Sequence, residues 1–332
     1  MKHSDGSHWA KGSKTTSFLQ LRLRPYPGRG LKPGDMKRFL LPTDFSEPAD
    51  QAARYALELA TVVGAQVLLV HVKHQPMIDS DLPTFPWPEP SGRRTQAVLS
   101  PVETQTREEL EQYAEGLRLR VGGKVKVQTL LLRGIPEEEI PALALREHCD
   151  LIVMGTRGHS KLYKTFFGSV TAGVVEQARV PVLVIPEAAV FRGVRHVMYA
   201  CDFDPADGPT IRSVIHLLSP LDFDLCSVYV FNDGGRPYER EDYDGLREAL
   251  AHHLRGVAME GTIHVDATGS QDLLEGLEEA VRDNRVDILV MTTHRRSFMT
   301  RLTHPSLTKR MIAHTHTPLL IFKAQDKPQL HL

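Results

Sequence analysis

The chain has 332 residues, 41% of them hydrophobic, and this length and composition allow two domains of ordinary size, each with its own core. A formal net charge of −1 argues against nucleic acid or a membrane surface as an electrostatic partner, and no apolar run reaches the ~20 residues that span a bilayer. Cys149, Cys201 and Cys226 have no CxxC spacing and lie in or beside apolar runs, which argues against disulfides and indicates reduced core residues of a cytoplasmic protein.

Residues 1–35 differ from the rest of the chain, because basic side chains outnumber acidic ones there and Gly, Ser and Pro are scattered between them. This composition predicts a disordered basic extension. It also suits an organellar transit peptide. The simpler interpretation is that Met36 is the biological start of the protein.

From Phe39 onward, strand-like and helix-like segments alternate, and such alternation predicts parallel strands joined by crossover helices. Ser46, with Pro48 in the turn that follows it, is a typical helix N-cap. The predicted strands of this first half are 39–43, 66–72, 124–132, 150–154 and 181–185, and the predicted helices are 49–63, 102–121, 136–148 and 169–178.

The strand over residues 150–154 ends in a glycine-rich segment that can bind a triphosphate through its backbone. Gly155 and Gly158 are followed by Gly168 and Ser169 at a helix start. Glycine admits positive φ and the close approach of a phosphate, and the first N–H groups of a helix have no internal partner. The spacing fits neither the Walker A loop nor the Rossmann fingerprint. The alternative interpretation is that these glycines serve only the turn at the strand end.

The same order of segments recurs from Arg195, so the chain contains one unit twice. Asp44 corresponds to Asp202 at a shift of 158 residues, whereas the later strands 151–154 and 288–291 correspond at a shift of 137. The first copy therefore has an excess of about 21 residues. The Pro-rich segment 75–101 is the obvious location, and it is either a lid or partner contact or a tolerated insertion.

Three features resemble the universal stress protein family: the strand end Pro42-Thr43-Asp44, the strand end Val70-His71-Val72, and the Gly-x2-Gly-x9-Gly-Ser pattern from Gly155. The resemblance covers Met36 to about Lys323, and the internal repeat indicates a tandem member of the family.

The resemblance implies an α/β fold of two tandem doubly wound, five-stranded parallel sheets, each with strand order 3-2-1-4-5, related by a pseudo-twofold axis. The implied domains are an ATP-binding N-terminal half, residues 36–190, and a degenerate C-terminal half, residues 194–325. Strands 181–185 and 318–322 are implied to pair, as they do between subunits in the family, which makes the chain an intramolecular pseudo-dimer. Further homo-oligomers stay open.

The ligand that the resemblance implies is ATP, and whether magnesium or manganese accompanies it is left open. Physical reasoning agrees on the place, since ligands of doubly wound sheets bind at the carboxyl ends of the strands where the strand order reverses. Asp44 would accept hydrogen bonds from adenine or ribose there, or else cap the following helix. The residues that the resemblance places around ATP are Pro42, Thr43, Asp44, Val72, Met154, Gly155, Thr156, Gly158, His159, Gly168, Ser169, Val170 and Thr171.

The second copy has lost the glycines of this segment, where the corresponding residues are Thr292, Arg295 and Pro305. Their side chains fill the space where phosphates approach, so we expect no ATP binding of the family type in the C-terminal half. The replacement segment is basic, which indicates a separate anion site or a solvated loop. His314 and His316 lack cysteine or acidic companions, and no metal site is predicted.

Together these features predict a cytoplasmic stress-response protein that binds ATP in its N-terminal half and acts as a nucleotide-dependent regulator or sensor. No catalytic residue is predicted, because the chain shows no Ser-His-Asp order and no kinase-like loop. His159 could assist slow hydrolysis or self-phosphorylation. The alternative function is a nucleotide-free scaffold or small-ligand carrier that uses the Pro-rich insertion or the basic C-terminal crevice.

Overall fold

The structure, a computed structural model, describes residues 19–23, 37–74, 101–156, 169–232, 240–254, 261–293, 307, 310, 311 and 315–324. The strands are β1 (Leu19–Leu23), β2 (Arg38–Pro42), β3 (Gln66–His74), β4 (Val127–Gly134), β5 (Leu151–Gly155), β6 (Val182–Ile185), β7 (His196–Cys201), β8 (Asp224–Asn232), β9 (Gly261–Ser270), β10 (Ile288–Thr293) and β11 (Leu319–Lys323). The helices are α1 (Glu47–Val63), α2 (Pro101–Arg120), α3 (Pro136–Arg146), α4 (Ser169–Gln177), α5 (Asp207–Leu218), α6 (Arg240–Leu254) and α7 (Leu273–Asp283).

A single sheet of eleven strands contains both halves, in the order β1-β9-β8-β7-β10-β11-β6-β5-β2-β3-β4. Each half contributes five strands in the predicted order 3-2-1-4-5, and all pairs within a half are parallel. The number of sheets differs from the prediction of two, because the last strands of the halves, β6 and β11, pair antiparallel at the centre and continue the hydrogen bonding between them.

The central pair shows the twofold relation of the halves. Leu183 and Leu320 correspond under the shift of 137 residues, and they are also paired with each other across β6 and β11. An antiparallel pair in which a residue faces its own equivalent is self-complementary, as a twofold axis requires. The chain is therefore a pseudo-dimer within one molecule.

Helices cover both faces of the sheet, which explains why the inner strands are apolar without alternation. One core contains Leu41, Leu183 and Leu320 together with residues of α1, α2, α5 and α6. The other contains Leu40, Val184 and Ile321 together with residues of α3, α4 and α7. Both cores run through the two halves, because alternate residues of the central strands point to opposite faces.

Strand β1 lies within the extension that was expected to be disordered. Leu19–Leu23 pairs antiparallel with β9, from Leu19 opposite Val265 to Leu23 opposite Gly261. An edge strand presents unpaired backbone groups that a nearby extended segment can satisfy. Composition alone gives no sign of this pairing, because its partner lies in the other half of the chain.

The strand registers locate the extra residues of the first copy. Val67 pairs with Val127, and their counterparts Leu225 and Ile263 also pair, at shifts of 158 and 136 residues. The excess therefore lies between β3 and β4, the interval that holds the Pro-rich segment; residues 75–100 of that segment lie outside the described ranges. Among the described helices, none is long and apolar enough to cross a membrane.

Candidate functional site

The strand order reverses in the N-terminal half between β2 and β5. These two strands are neighbours, with Phe39 opposite Leu151 and Leu40 opposite Ile152. The chain leaves β2 through α1 toward β3 on one side, and it leaves β5 through α4 toward β6 on the other. The two departing helices leave a crevice at the carboxyl ends of the strands, and this is where ligands of such sheets bind.

The turn after β2 exposes one carboxylate at this crevice. The side-chain oxygen of Thr43 accepts a hydrogen bond from the Phe45 N–H (3.0 Å), and Asp44 Oδ1 accepts one from the Ser46 N–H (3.1 Å). Phe45 has φ of 61°, a left-handed conformation that is uncommon outside glycine. Thr43 is buried and Pro42 half-buried, whereas Asp44 is exposed. Asp44 thus orders the turn while its carboxylate stays at the surface.

Helix α1 begins as predicted. Ser46 is its N-cap, and the Ser46 hydroxyl accepts a hydrogen bond from the Ala49 N–H (3.3 Å). Asp44 is therefore not the cap, although it accepts the N–H of the capping residue itself. The predicted alternative for Asp44, helix capping, is taken by Ser46 two residues later.

Three aromatic rings, which the sequence analysis did not predict to meet, lie together at this turn. The Phe45 ring lies 4.9 Å from the His71 ring and 5.8 Å, edge to face, from the Tyr113 ring, measured between centroids. His71 Nδ1 donates to the Thr43 carbonyl (2.8 Å), and the Tyr113 hydroxyl donates to Asp50 Oδ1 (3.1 Å). Burial and the Asp50 charge raise the pKa of Tyr113 well above its usual value.

On the other side of the crevice, β5 ends in residues that packing holds tightly. Met154, Gly155 and Thr156 are all buried, and the Thr156 N–H donates to the Ile185 carbonyl (3.1 Å). A Cβ on Gly155 would lie 2.6 Å from the carbonyl oxygen of Pro48 in the first turn of α1. Gly155 is therefore required by the contact between β5 and α1, and its role does not depend on a ligand.

Two hydroxyl side chains lie in the first turn of α4, one buried and one exposed. Thr171 is buried, and its hydroxyl donates to the Gly155 carbonyl (2.9 Å), which ties α4 to the end of β5. Ser169, the first residue of α4, is exposed, and Val170 is half-buried. The first N–H groups of a helix have no intrahelical acceptor, so Ser169 and the backbone beside it can donate to an anion.

The structure thus brings the described members of the predicted set to one edge of the sheet, with Val72 buried in β3 near the end of that strand. Gly158, His159 and Gly168 lie outside the described residues.

The equivalent turn in the C-terminal half has the same backbone conformation. Phe203, the counterpart of Phe45, has φ of 60°, and its ring contacts those of Tyr229 and His253 as Phe45 contacts His71 and Tyr113. Asp202, the counterpart of Asp44, is exposed. The shared frame indicates that the two turns descend from one unit.

A buried polar network fills the interior beside this second turn. Asp207, fully buried in the first turn of α5, accepts hydrogen bonds on Oδ1 from the Tyr199 hydroxyl (2.5 Å) and on Oδ2 from the Cys201 thiol (2.9 Å) and His253 Nε2 (2.8 Å). Burial and the nearby Asp207 charge raise the pKa values of Tyr199 and Cys201 well above their usual range. Both carboxylate oxygens of Asp207 therefore accept hydrogen bonds from side chains within the protein.

Thr292, which replaces Gly155, belongs to the same network. Its hydroxyl lies 3.0 Å from the Tyr199 hydroxyl and 3.3 Å from that of Thr210. The N-terminal half has Leu41, Ala49 and Ala52 at the positions of Tyr199, Asp207 and Thr210. In the C-terminal half, a threonine thus replaces the glycine at the end of the strand, and this threonine hydrogen-bonds with other polar side chains.

Comparisons with known proteins agree with the internal repeat. The model of the universal stress protein family matches the chain twice, at residues 36–186 and 193–323. A universal stress protein of Methanocaldococcus jannaschii is 31% identical over 154 residues, which are 45% of this chain and 94% of the relative. One of Thermus aquaticus is 35% identical over 149 residues, 45% of this chain and 98% of the relative. These relatives are about the length of one half.

Two further comparisons extend over both halves. A universal stress protein of Mycolicibacterium smegmatis is 24% identical over 298 residues, 86% of this chain and 96% of the relative. The crystal structure of a universal stress protein from Archaeoglobus fulgidus matches with a TM-score of 0.60 at 20% identity, covering 86% of this chain and 98% of the other. The last likeness concerns the fold.

Proposed function

Because the chain belongs to the universal stress protein family, we propose that its N-terminal half binds ATP and that this stress protein acts in the cytoplasm as a nucleotide-dependent regulator. The proposal includes at most slow hydrolysis, since none of the described side chains at the crevice forms a nucleophile and base pair. The observation that carries it is the crevice between an exposed carboxylate, Asp44, and the exposed start of α4 at Ser169.

The two ends of the crevice suit the two ends of the nucleotide. Asp44 is an acceptor and would take hydrogen bonds from ribose or adenine, and Val72, near the end of β3, would offer adenine an apolar contact. Ser169 and the first N–H groups of α4 are donors at the positive end of the helix dipole, and they suit the phosphates. A divalent ion would offset the charge of the phosphates if they lay near Asp44.

Two residues of the predicted set already have partners within the fold. The Thr171 hydroxyl already donates to the Gly155 carbonyl, and Gly155 accommodates the Pro48 backbone. We therefore assign Gly155 and Thr171 to the support of the crevice, and Ser169 with the backbone of α4 to phosphate contact. A valine at Gly155 would disturb folding and cannot test binding.

Calorimetric titration of the full chain with ATP tests the proposal, with Ser169→Glu as the informative variant. The added carboxylate would face the phosphates, and like charges at an interface cost several kcal/mol, so we expect binding weaker by more than about tenfold. Ser169 is exposed and glutamate is favourable in the first turn of a helix, so folding should be preserved.

Gln177→Glu is the matched control, because it adds the same charge at the exposed far end of α4. We expect this variant to bind ATP like the parent chain. Equal binding by Ser169→Glu would contradict phosphate contact at α4. No heat with the parent chain would contradict ATP binding itself and favour the nucleotide-free scaffold.

A further inference from the structure

Three side chains of different chemistry converge in the C-terminal half at the end of β7. Cys201 Sγ, one carboxylate oxygen of Asp207 and one ring nitrogen of His253 all lie within 4.8 Å of one another. Sγ and Nε2 are both hydrogen-bonded to the same oxygen, Oδ2, at 2.9 and 2.8 Å. The ATP proposal for the N-terminal half does not use these residues.

The donor set is one that a borderline-soft divalent cation prefers. Thiolate sulfur, imidazole nitrogen and carboxylate oxygen are the three protein ligand types of zinc, whereas magnesium and calcium select oxygen alone. Outer contacts support the set: the Tyr199 hydroxyl donates to the second oxygen of Asp207, and the Phe203 ring lies 5.5 Å from the His253 ring. Such contacts orient metal ligands.

From this convergence we propose that Cys201, Asp207 and His253 form a binding site for a zinc-class divalent cation, with water as the fourth ligand. Three protein ligands and one open position are an established zinc arrangement. His253 is half-buried and Asp207 is fully buried, so the cation would enter from the His253 side.

The charges balance when the metal binds. The Cys201 thiol donates a hydrogen bond to Asp207 Oδ2, so it carries its proton in the absence of metal. A divalent cation displaces that proton to solvent and bonds to the thiolate, the carboxylate and the neutral imidazole. One cation then neutralises two anions, which avoids an uncompensated buried charge.

The ligands must shift slightly to admit the ion. Zinc bonds of about 2.3 Å to sulfur and about 2.0 Å to nitrogen or oxygen place tetrahedral ligands roughly 3.3 to 3.5 Å apart. The hydrogen-bonded pairs, at 2.8 and 2.9 Å, must open by about 0.5 Å, whereas Sγ and Nε2, which lie within 4.8 Å of each other, must approach by at most about 1.3 Å. His253 lies on α6 and Cys201 on β7, and rotation of either side chain provides this movement.

The N-terminal half lacks the three side chains of this proposed cation site. Thr43 and Ala49 stand at the positions of Cys201 and Asp207 under the shift of 158 residues. Tyr113 occupies the place of His253, as its contact with Phe45 shows. We therefore expect one cation per chain.

Titration of the full-length, reduced chain with Co²⁺ tests the site, because cobalt bound to a thiolate gives a ligand-to-metal charge-transfer band in the near ultraviolet. We expect a band that saturates at one equivalent, and its loss on addition of Zn²⁺. Cys201→Thr and His253→Tyr, which install the residues of the N-terminal half, should weaken binding by more than about tenfold, the smallest loss typical even of outer metal contacts.

Cys149→Ala is the matched control, because Cys149 is a buried thiol of the other half, whose pKa burial raises to about 11. It should keep the band, and circular dichroism should report all variants as folded. No band and no stoichiometric uptake by the parent chain would overturn the proposal. So would a band that persists in Cys201→Thr or disappears in Cys149→Ala. If the cluster variants fail to fold, alkylation of the parent chain decides: Zn²⁺ should protect Cys201 and leave Cys149 unchanged.

Discussion

The two crevices of this sheet have the same backbone conformation at the turn after the first strand of each half, but different side chains lie behind that turn. Phe45 and Phe203 adopt the same left-handed conformation, with φ of 61° and 60°. In the N-terminal half, Gly155 contacts the Pro48 backbone, and Leu41 and Ala49 stand at the positions of Tyr199 and Asp207. In the C-terminal half, Thr292 and Asp207 belong to a polar network. One fold thus accommodates either interior, because the polar side chains of the C-terminal network hydrogen-bond to one another.

The N-terminal crevice has hydrogen-bond donors exposed to solvent, whereas the donors in the C-terminal half bond to groups within the protein. The exposed donors at the start of α4 are available to an anion, whereas the Asp207 network is closed by Tyr199, Cys201 and His253. A closed network gains stability from its own contacts but leaves little for a polyanion. Substitutions in the C-terminal half should therefore destabilise the protein by breaking buried hydrogen bonds. Substitutions in the N-terminal half should destabilise it by overpacking the interior.

Asp207→Ala should have the largest effect, because it removes the acceptor that the buried Tyr199 hydroxyl, the buried Cys201 thiol and the half-buried His253 ring share. We expect the free energy of unfolding to fall by about 2 to 6 kcal/mol, because each of the two buried donors left without this acceptor costs about 1 to 3 kcal/mol. Urea denaturation measures this loss. Asp202→Ala, an exposed carboxylate of the same turn, is the control and should change the free energy little.

A combined variant sharpens this test. Adding Tyr199→Leu, Cys201→Thr and His253→Tyr to Asp207→Ala installs the residues of the N-terminal half at four positions of the network. Stability should partly return, because removing both partners of a buried bond costs less than removing one. A loss below about 1 kcal/mol for Asp207→Ala alone would mean that the network contributes little.

Gly155→Ala should have the next largest effect. The new Cβ would lie 2.6 Å from the Pro48 carbonyl oxygen, and α1 must move to relieve the overlap. Overpacking of this kind costs about 1 to 3 kcal/mol, measured as a lower urea midpoint. Gly116→Ala is the control: a Cβ there meets nothing within 4 Å, and in a helix it should stabilise by about 0.5 to 1 kcal/mol. Equal stability of the two variants would show that α1 adjusts freely.

The elements predicted from sequence are those with local signals. The alternation of strands and helices, the Ser46 cap and the repeat follow from residue patterns within each segment, and the structure has them. The pairing of β1 with β9 and the contact of Gly155 with Pro48 join distant parts of the chain, and no local pattern encodes them.

The convergence of Cys201, Asp207 and His253 escaped prediction for the same reason. These residues are separated by 6 and 46 positions, without the regular spacing of a metal motif. The sequence indicates an ordinary core thiol at Cys201, because a cysteine in an apolar run usually is one. Phe203 offered a usable signal, since a phenylalanine recurs in both turns at the same shift, but only contacts reveal that His253 faces it.

The smallest expected effect is a pH dependence at the outer edges of the sheet. His264 on β9 is buried next to β1, whereas its counterpart Gln128 on β4, the last strand at the other end of the described sheet, is exposed. Burial lowers the pKa of His264 below 6.5, and the charge of Asp224 only partly opposes this. Between pH 6.5 and that lowered pKa, the unfolded chain binds a proton that the folded chain does not, so stability falls as pH falls through this interval.

His264→Gln installs the residue of the other edge and removes this proton, so its urea midpoint should decrease less than that of the parent chain between about pH 7.5 and about pH 5.5. Other titrating groups are common to both proteins and cancel in the difference. His252→Gln is the control, because His252 is exposed, and this variant should follow the parent chain. Parallel curves for His264→Gln and the parent chain would mean that β1 leaves His264 as accessible to protons as in the unfolded chain. The two outer edges would then differ in strand pairing but not in solvation.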